Sequence, residues 1–379
     1  MRVIPIASGK GGVGKSLVAA NLAVAFAQSG QRVVLADLDL GASNLHLMLG
    51  HQSPPAGIGT FLTNTKSDFS LVIAETDIPN LRFIPGDGEM PGAANIKAMQ
   101  RKAITRRLLA LDADVLILDL GAGTHQFILD FFLLSGQGIV VSAPTVAATL
   151  SAYVFLKNIV FRIMYMVFHR GTKAYEYLEG LRKDSSGLKK LYIPRILQEI
   201  QAIDDEGYKR FKEKISTFHP RLILNMIEDP KDADVAMKIR RSSEEYLDVK
   251  IEHLGVIYRD SIQDTALASR LPILLYKPQS ILSQAIYRIA DKIIEGDDDT
   301  FSLEGRDTED SFIEASLEAE TDFNNKMEYL EELLNSGTLT QGDLVETVKS
   351  QQFEISKLRK ENNFLKTKLS KALSQGFKV

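Results

Sequence analysis

The stretch Gly9-Lys10-Gly11-Gly12-Val13-Gly14-Lys15-Ser16 decides the fold of this chain of 379 residues. It follows a short apolar run, Val3 to Ala7, and leads into an alanine-rich amphipathic segment, Leu17 to Ala27. A loop of the form G-x-x-x-x-G-K-[ST] between a strand and a helix is the P-loop pattern, in which backbone N–H groups and the positive helix N-terminus hold phosphates. The sequence therefore predicts a nucleotide site, and a glycine-rich turn without a ligand is the alternative.

Two side chains of this loop have predicted roles. Lys15 is expected to reach the β- and γ-phosphates, and the Ser16 hydroxyl is expected to bind Mg²⁺. Glycines allow the backbone to turn tightly enough for successive N–H groups to face one phosphate chain. The predicted nucleotide-binding residues of the loop are Gly11, Gly12, Val13, Gly14, Lys15, Ser16 and Leu17.

Two later apolar runs end in carboxylates, as buried parallel strands beside a P-loop often do. Gln31 to Asp37 is followed closely by Asp39, and Ala113 to Asp119 ends where a Walker B aspartate belongs. We predict that Asp37 and Asp119 join Ser16 in holding Mg²⁺ and its water shell, and that Asp39 orients the attacking water. Asp37 or Asp39 alone could instead be a helix N-cap, so the pair carries the prediction.

The loop also contains Lys10, which an ordinary P-loop does not need. With it, Lys-Gly-Gly-Val-Gly-Lys-Ser resembles the deviant Walker A motif of the MinD/ParA group of P-loop ATPases. The segment Asp119 to Gly123 is similar to switch II of the flagellar-number branch of that group, FlhG/FleN. The resemblance implies ATP and Mg²⁺ as cofactors and a homodimer in which the catalytic Lys10 reaches the partner's nucleotide. A plain surface lysine is the alternative.

The same resemblance gives three later positions an interpretation. Asn225 ends a predicted strand where the family uses asparagine to contact adenine, and Asp260 is a weaker purine-side candidate because relatives carry Pro-x-Asp there. Thr145 stands where the family commonly has an acidic residue near its dimer interface, which puts some contacts between subunits in question. The resemblance covers residues 1–294, except for an insertion.

Composition narrows the class of protein. Apolar residues make up 45% of the chain and charged residues 25%, as in ordinary globular proteins, and there is no cysteine. Disulfides, thiolate metal sites and cysteine nucleophiles are therefore excluded. The first strand begins almost at the first residue, and we predict that no apolar run approaches the ~20 residues of a membrane span. We expect a cytoplasmic protein, with contact at the inner face of the membrane as a further possibility.

The pattern of apolar and charged residues predicts three regions. Residues 1–294 are expected to form a mostly parallel, doubly wound α/β sheet with helices on both faces, interrupted by a helical insertion at about 159–217. The insertion fits a packed subdomain or a surface that docks a partner or a membrane. Residues 295–323 are read as a solvated acidic linker, because residues 295–322 carry 12 acidic and 1 basic side chains.

Residues 324–379 are predicted to be a helical coiled-coil tail. Its heptad places Val348, Ile355, Asn362 and Leu369 at position a, and Leu344, Leu358, Leu365 and Ala372 at position d. Gln351 is a flaw in this pattern. Because residues 357–379 carry 7 basic and 1 acidic side chains, a basic amphipathic membrane anchor is the alternative.

The leading functional hypothesis is an ATP-switched regulator that places or assembles a cellular structure, working as a homodimer with an unidentified protein partner. A second hypothesis is an ATP-dependent carboxylate-activating enzyme built on the same P-loop. A third is a DNA-partition ATPase. Nucleic acid is an improbable partner, because residues 1–294 carry 35 basic against 30 acidic side chains, a small excess for phosphate binding.

Overall fold

A computed structural model describes residues 1–40, 43–51, 56–63, 65, 68–86, 96–183, 192–296 and 308–336, with single positions at 342, 349 and 352. The chain divides into two compact units, Met1–Thr321 and Asp322–Val379. All of the sheet, and every candidate site residue, belongs to the first unit. Most of the predicted coiled-coil tail lies outside the described residues.

The first unit is built on one sheet of eight strands in the order β3-β4-β2-β5-β1-β6-β7-β8. All neighbours are parallel except β3, which runs antiparallel to β4 at the edge. The strands are β1 (Arg2–Ser8), β2 (Val33–Leu38), β3 (Ala74–Glu75), β4 (Leu81–Ile84), β5 (Val115–Ala122), β6 (Ile139–Ser142), β7 (Arg221–Ile227) and β8 (Glu252–Tyr258).

Helices connect these strands and cover both faces of the sheet, which confirms the predicted doubly wound fold. The α-helices before the insertion are α1 (Lys15–Gln28), α2 (Leu45–Met48), α3 (Ile58–Thr63), α4 (Ala98–Leu109), α5 (Gln126–Phe132) and α6 (Val146–Val167). The remaining ones are α7 (Lys173–Lys183), α8 (Ile193–Ile203), α9 (Asp205–Ile215), α10 (Asp234–Leu247), α11 (Ile262–Ala268), α12 (Ile273–Tyr276), α13 (Ile281–Glu295) and α14 (Thr308–Asn335). Short 3₁₀ helices occupy Phe69–Val72 and Pro230–Ala233.

The register of the central strands brings the predicted carboxylates together. In the parallel pair of β2 with β5, Asp37 lies opposite Asp119, and β5 in turn pairs with β1, the strand that leads into the P-loop. Helix α1 is buried on nearly all sides, from Val18 to Ala27, because its alanines let neighbouring elements approach closely. The carboxyl ends of the strands therefore converge on the N-terminus of α1.

The insertion forms a helical layer that packs on α6. Helices α7, α8 and α9 lie in the region where the sequence predicted helices, and α9 and α10 contact α6. Phe168 stacks on Phe211 with ring centroids 6.0 Å apart, and both side chains are buried. The packing favours the interpretation of a packed subdomain.

Helix α6 corrects one expectation from the sequence. Within the described residues it is long and apolar enough to cross a membrane by length and composition alone, so the statement that no apolar run approaches that length is wrong. Eight of its side chains are buried in the domain, namely Ala148, Ala152, Phe155, Leu156, Ile159, Val160, Ile163 and Met164. A helix in the core of a globular domain passes the same test.

The predicted acidic linker is also wrong in part. From Thr308 onward the chain is a regular helix, α14, which ends at Asn335, and its first half packs into the first unit through Phe312, Ala315 and Ala319. The acidic side chains are not all solvated, since several pair with cations that lie earlier in the chain. The linker prediction remains for residues 297–307, which lie outside the described residues.

Candidate nucleotide-binding site

The loop between β1 and α1 has the backbone geometry that phosphate binding requires. Gly12 and Gly14 adopt φ angles of 80° and 82°, in the left-handed region that favours glycine. Within the described part of the chain, the N–H groups of Gly11, Gly12 and Val13 donate to no backbone carbonyl. Unpaired N–H groups at the start of a helix of 14 residues form a positively polarised cradle for an anion.

Two neighbours hold the loop in this shape. A Cβ atom added to Gly9 would lie 2.0 Å from the Ser151 carbonyl oxygen of α6, so only glycine fits there. On the other side, a Cβ atom on Gly14 would lie 2.1 Å from Asn225 Nδ2. The same Nδ2 atom donates a hydrogen bond of 2.9 Å to the Val13 carbonyl. The loop is thus pre-organised by contacts from α6 and β7.

Below the loop lies a buried cluster of charge. Lys15 is 6% exposed, while Asp37 and Asp119 are each 1% exposed. The Lys15 Nζ atom donates a short hydrogen bond to Asp119 Oδ1, and it lies 3.4 Å from Ser16 Oγ. Two buried carboxylates therefore face one buried ammonium, which leaves the cluster with an excess of negative charge.

The surroundings show how this excess is tolerated. Burial and the charge of Asp119 raise the pKa of Asp37 to about 7, although Ser43 Oγ and the Asp39 N–H both donate hydrogen bonds to it. Burial likewise raises the pKa of Asp119, against the opposing effect of Lys15. Among the described residues, no group donates to Asp119 Oδ2, which is buried.

These observations fit a divalent cation. A buried carboxylate oxygen without a donor and an acidic pair in need of positive charge are what Mg²⁺ with its water shell would satisfy, and Ser16 lies next to them. Bound Mg²⁺ would supply charge neutralisation on the phosphate oxygens. The chain itself would contribute Lys15 and a cradle of N–H groups that donate hydrogen bonds to the phosphates.

Asp39 and Lys10 lie at the edges of this cluster. Asp39 is half-buried, and its Oδ1 atom would be 3.3 Å from a Cβ on Gly121, which places the carboxylate against the start of the predicted switch II. Lys10 is exposed and makes no ion pair with the residues that the structure describes. Asp39 therefore lies against Gly121, and the roles of Asp39 and Lys10 toward a nucleotide stay predictions.

The residues assigned by resemblance have additional local roles. Asn225 is buried and joins β7 to the P-loop, so its amide group is already engaged. Asp260 follows β8 and accepts a hydrogen bond of 3.0 Å from the Ile262 N–H, which starts α11. Thr145 caps α6 by accepting from the Ala148 N–H at 3.3 Å. Their contacts to a purine or to a second subunit stay predictions.

Sequence reasoning missed several polar groups at this end of the sheet. Ser43 Oγ donates to Asp37 at 2.7 Å, and the sequence analysis assigned this serine no role. Ser8 and Ser142 end β1 and β6 with buried hydroxyls that find no partner among the described residues. A serine at the last position of a buried parallel strand is the signal that could have identified both.

Comparison with known proteins agrees with this geometry. Residues 4–273 match the family described as the CobQ/CobB/MinD/ParA nucleotide binding domain. The antiactivator FleN of Pseudomonas aeruginosa is 22% identical over 296 residues, which cover 77% of this chain and 86% of FleN. The flagellum site-determining protein YlxH of Helicobacter pylori is 32% identical over 161 residues, or 41% of this chain and 53% of YlxH.

Two other comparisons extend these matches. The septum site-determining protein MinD of Helicobacter pylori is 32% identical over 147 residues, which cover 38% of this chain and 54% of MinD. This chain thus spans about half the length of MinD and YlxH. The solved structure of MinD complexed with Mg-ADP from Pyrococcus horikoshii has a TM-score of 0.52 at 20% identity, covering 77% of this chain and 95% of that one, and it shows the same fold. The match over residues 4–273 places this chain in the CobQ/CobB/MinD/ParA family of nucleotide-binding domains.

Proposed function

We propose that this chain is an ATP-dependent dimerising switch that hydrolyses ATP to ADP and phosphate with the help of Mg²⁺. Binding of ATP would join two copies face to face at their P-loops, and slow hydrolysis would separate them. The dimer would bind a protein partner and thereby regulate the placement or assembly of a structure such as division, flagellar or polar machinery. Its site of action would be the cytoplasm, with peripheral contact at the inner face of the membrane.

The contrast between the two lysines of the loop is the observation that supports this proposal. Lys15 is buried and neutralises Asp119, so its charge is directed to the nucleotide of its own subunit. Lys10 lies five positions earlier in the same loop, is exposed, and has no acidic partner in the described residues. An ammonium group that faces outward beside a triphosphate site is suited to bind the γ-phosphate of a second copy.

The remaining site residues fit hydrolysis. Asp37 and Asp119 with Ser16 would hold Mg²⁺, and Lys15 would stabilise the charge that develops on the transferred phosphoryl group. Asp39, half-buried beside Gly121, would orient the attacking water. Because phosphoryl transfer depends on positioning and charge, these side chains are sufficient for a slow ATPase.

Relatives support the positioning role. The similar proteins carry names that refer to placement, among them the septum site-determining protein MinD and the flagellum site-determining protein YlxH. The solved MinC:MinD cell division protein complex of Aquifex aeolicus has a TM-score of 0.50 at 19% identity. The solved MinD cell division protein of the same organism has a TM-score of 0.50 at 18% identity. A partner bound by an assembled dimer is therefore our expectation for this chain as well.

The test is the mass of the protein in solution with nucleotide. In light scattering with ATP and Mg²⁺, Asp39→Ala is expected to accumulate as a dimer because it binds ATP without hydrolysing it. Adding Lys10→Ala should return it to a monomer while a fluorescent ATP analogue still binds. Lys102→Ala, which removes an exposed lysine of α4, is the matched control and should leave the dimer intact. A Lys10→Ala protein that dimerises normally with ATP would contradict the proposal.

A further inference from the structure

The first half of α14, residues 308–321, forms what we call the docked segment. Phe312, Ala315 and Ala319 are spaced three and four residues apart, so they share one face of the helix, and all three are buried. The ring of Phe312 lies 5.0 Å from that of His253, in β8. The docked segment thus packs its apolar face onto the last strand of the sheet.

Two hydrogen bonds attach this segment to both ends of β8. At the start of the strand, the His253 N–H donates to Ser311 Oγ at 3.1 Å. At its last residue, Tyr258 Oη donates to the Ala319 carbonyl at 2.8 Å, in a buried setting. A helix that is hydrogen-bonded near both ends of a strand restricts the movement of the whole strand.

Ion pairs add to this attachment. Lys292 of α13 lies 2.8 Å from Glu318 and 3.4 Å from Glu314. Arg240 of α10 lies 3.6 Å from Glu309, and its guanidinium group stands 5.4 Å from the centroid of the Phe312 ring. The acidic side chains that suggested a solvated linker are therefore partners of specific cations on the domain.

Strand β8 is also connected to the P-loop. Asn225, which donates to the Val13 carbonyl of that loop, is paired in the sheet with Ile257, the residue before Tyr258. Just beyond Tyr258, the Arg259 N–H donates to the Ile227 carbonyl of β7 at 2.9 Å. The carboxyl ends of β7 and β8 are therefore held together beside the phosphate loop.

The geometry of the site indicates which end of a nucleotide lies nearby. The metal-binding carboxylates Asp37 and Asp119 stand on β2 and β5, on one side of β1. Since Mg²⁺ binds the β- and γ-phosphates, the chain of phosphates must leave the P-loop toward the other side of β1, where β6, β7 and β8 end. The nucleoside would therefore lie by the carboxyl ends of β7 and β8, next to residues 259–262.

We propose that Tyr258 and the docked segment are positioning elements for the nucleoside half of the nucleotide. They hold the carboxyl end of β8, and with it residues 259–262, in the place where the nucleoside binds, without touching the nucleotide themselves. This inference rests on the proposed nucleotide binding and adds a part of the chain beyond residue 294 to that site. It implies that nucleoside binding and docking of residues 308–321 stabilise each other, since such coupling is reciprocal.

Calorimetric titration of the full chain with two probes tests the proposal. Mg-ADP contacts both halves of the site, whereas Mg-pyrophosphate contacts only the phosphate half. Tyr258→Phe should raise the Kd for Mg-ADP by about three- to tenfold, the range expected for loss of one buried hydrogen bond, with the Kd for Mg-pyrophosphate unchanged. The matched control is Tyr246→Phe, which removes the hydroxyl of an exposed tyrosine and should change neither Kd.

Equal weakening of both probes, or no change in either, would overturn the positioning role. Should Tyr258→Phe fail to fold, hydrogen exchange of the unmodified chain decides the matter: saturating Mg-ADP should slow exchange in residues 308–321, whereas saturating Mg-pyrophosphate should not. Identical exchange in that segment with both ligands would contradict the inference. Failure of the unmodified chain to bind Mg-ADP at all would instead contradict the proposed function.

Discussion

Two charged clusters of this domain differ in how their charges are balanced. At the P-loop, Asp37 and Asp119 face Lys15 alone, and one carboxylate oxygen lacks a donor among the described residues. Under the docked segment, Lys292 lies 2.8 Å from Glu318 and 3.4 Å from Glu314, and Arg288 adds a second cation 4.0 Å from Glu318. The first cluster is incomplete without a bound cation, as binding sites often are, whereas the second is balanced by the chain itself and serves stability.

The largest effect should follow from removing the one cation of the P-loop cluster. Lys15→Met leaves Asp119 buried without its partner, so we expect the free energy of unfolding at pH 8 to fall by about 3–5 kcal/mol in urea titrations. The double variant Lys15→Met/Asp119→Asn should recover most of this loss, because no uncompensated charge remains. Lys10→Met is the control for an exposed lysine of the same loop, and it should leave stability unchanged.

A strictly additive double variant would show that Lys15 and Asp119 do not interact in the folded protein. It would also remove the reason for treating Lys15 as the cation of the P-loop cluster.

The next largest effect concerns the apolar anchor of the docked segment. Phe312 is 1% exposed, and Phe312→Ala should lower the free energy of unfolding by about 3 kcal/mol because of the cavity that it leaves. Ile313 is its neighbour on the same helix and is 54% exposed, so Ile313→Ala should change the thermal midpoint little. If the two substitutions had the same small effect, the segment would not be part of the folded domain.

A pair of glycines in the P-loop gives a smaller, sharper test. Gly14→Ala imposes strain at a φ angle of 82° and a contact with Asn225 Nδ2, so we expect a loss of about 1–3 kcal/mol in stability together with weaker Mg-ADP binding. A Cβ on Gly11 meets no atom within 4 Å, and its φ is not in the left-handed region. Gly11→Ala should therefore fold normally, and equal losses for both variants would contradict the proposed contact with β7.

The two clusters also differ in how far the sequence could predict them. The P-loop and the carboxylates Asp37, Asp39 and Asp119 could be predicted because their signals are local: a fixed glycine spacing, and acidic residues at the ends of apolar strands. Parallel strands then bring these ends together without further information. Asn225 was assigned by resemblance, but its bond to Val13 spans more than 200 positions and has no local signal.

The docked segment was misread for the same physical reason. Twelve acidic side chains in residues 295–322 predict solvation when they are counted alone. Their partners Arg240 and Lys292 belong to helices formed earlier in the chain, and the apolar spacing of Phe312, Ala315 and Ala319 is short and built mostly of alanine. Composition gives the number of charged side chains, but it does not show whether a cation from a distant part of the chain will pair with them.

The smallest effect, measured per pH unit, is a dependence of stability on pH beneath the docked segment. His253 is buried against the ring of Phe312, and burial, with the nearby charge of Lys292, lowers its pKa to about 3. The unfolded chain binds a proton at this histidine near pH 6.5, whereas the folded chain does not. Stability should therefore fall as the pH drops from about 6.5 toward 3, by up to about 1.4 kcal/mol per pH unit for this one group.

Urea titrations between pH 7 and pH 4.5 measure this slope. His253→Leu keeps an apolar side chain under Phe312 and removes the titrating group, so the slope should decrease by the equivalent of about one proton. His125→Asn changes an exposed histidine and should leave the slope as it is. Lys292 lies near His253 and pairs with Glu318 and Glu314. An unchanged slope in His253→Leu would show that the histidine does not carry the acid sensitivity of this cluster.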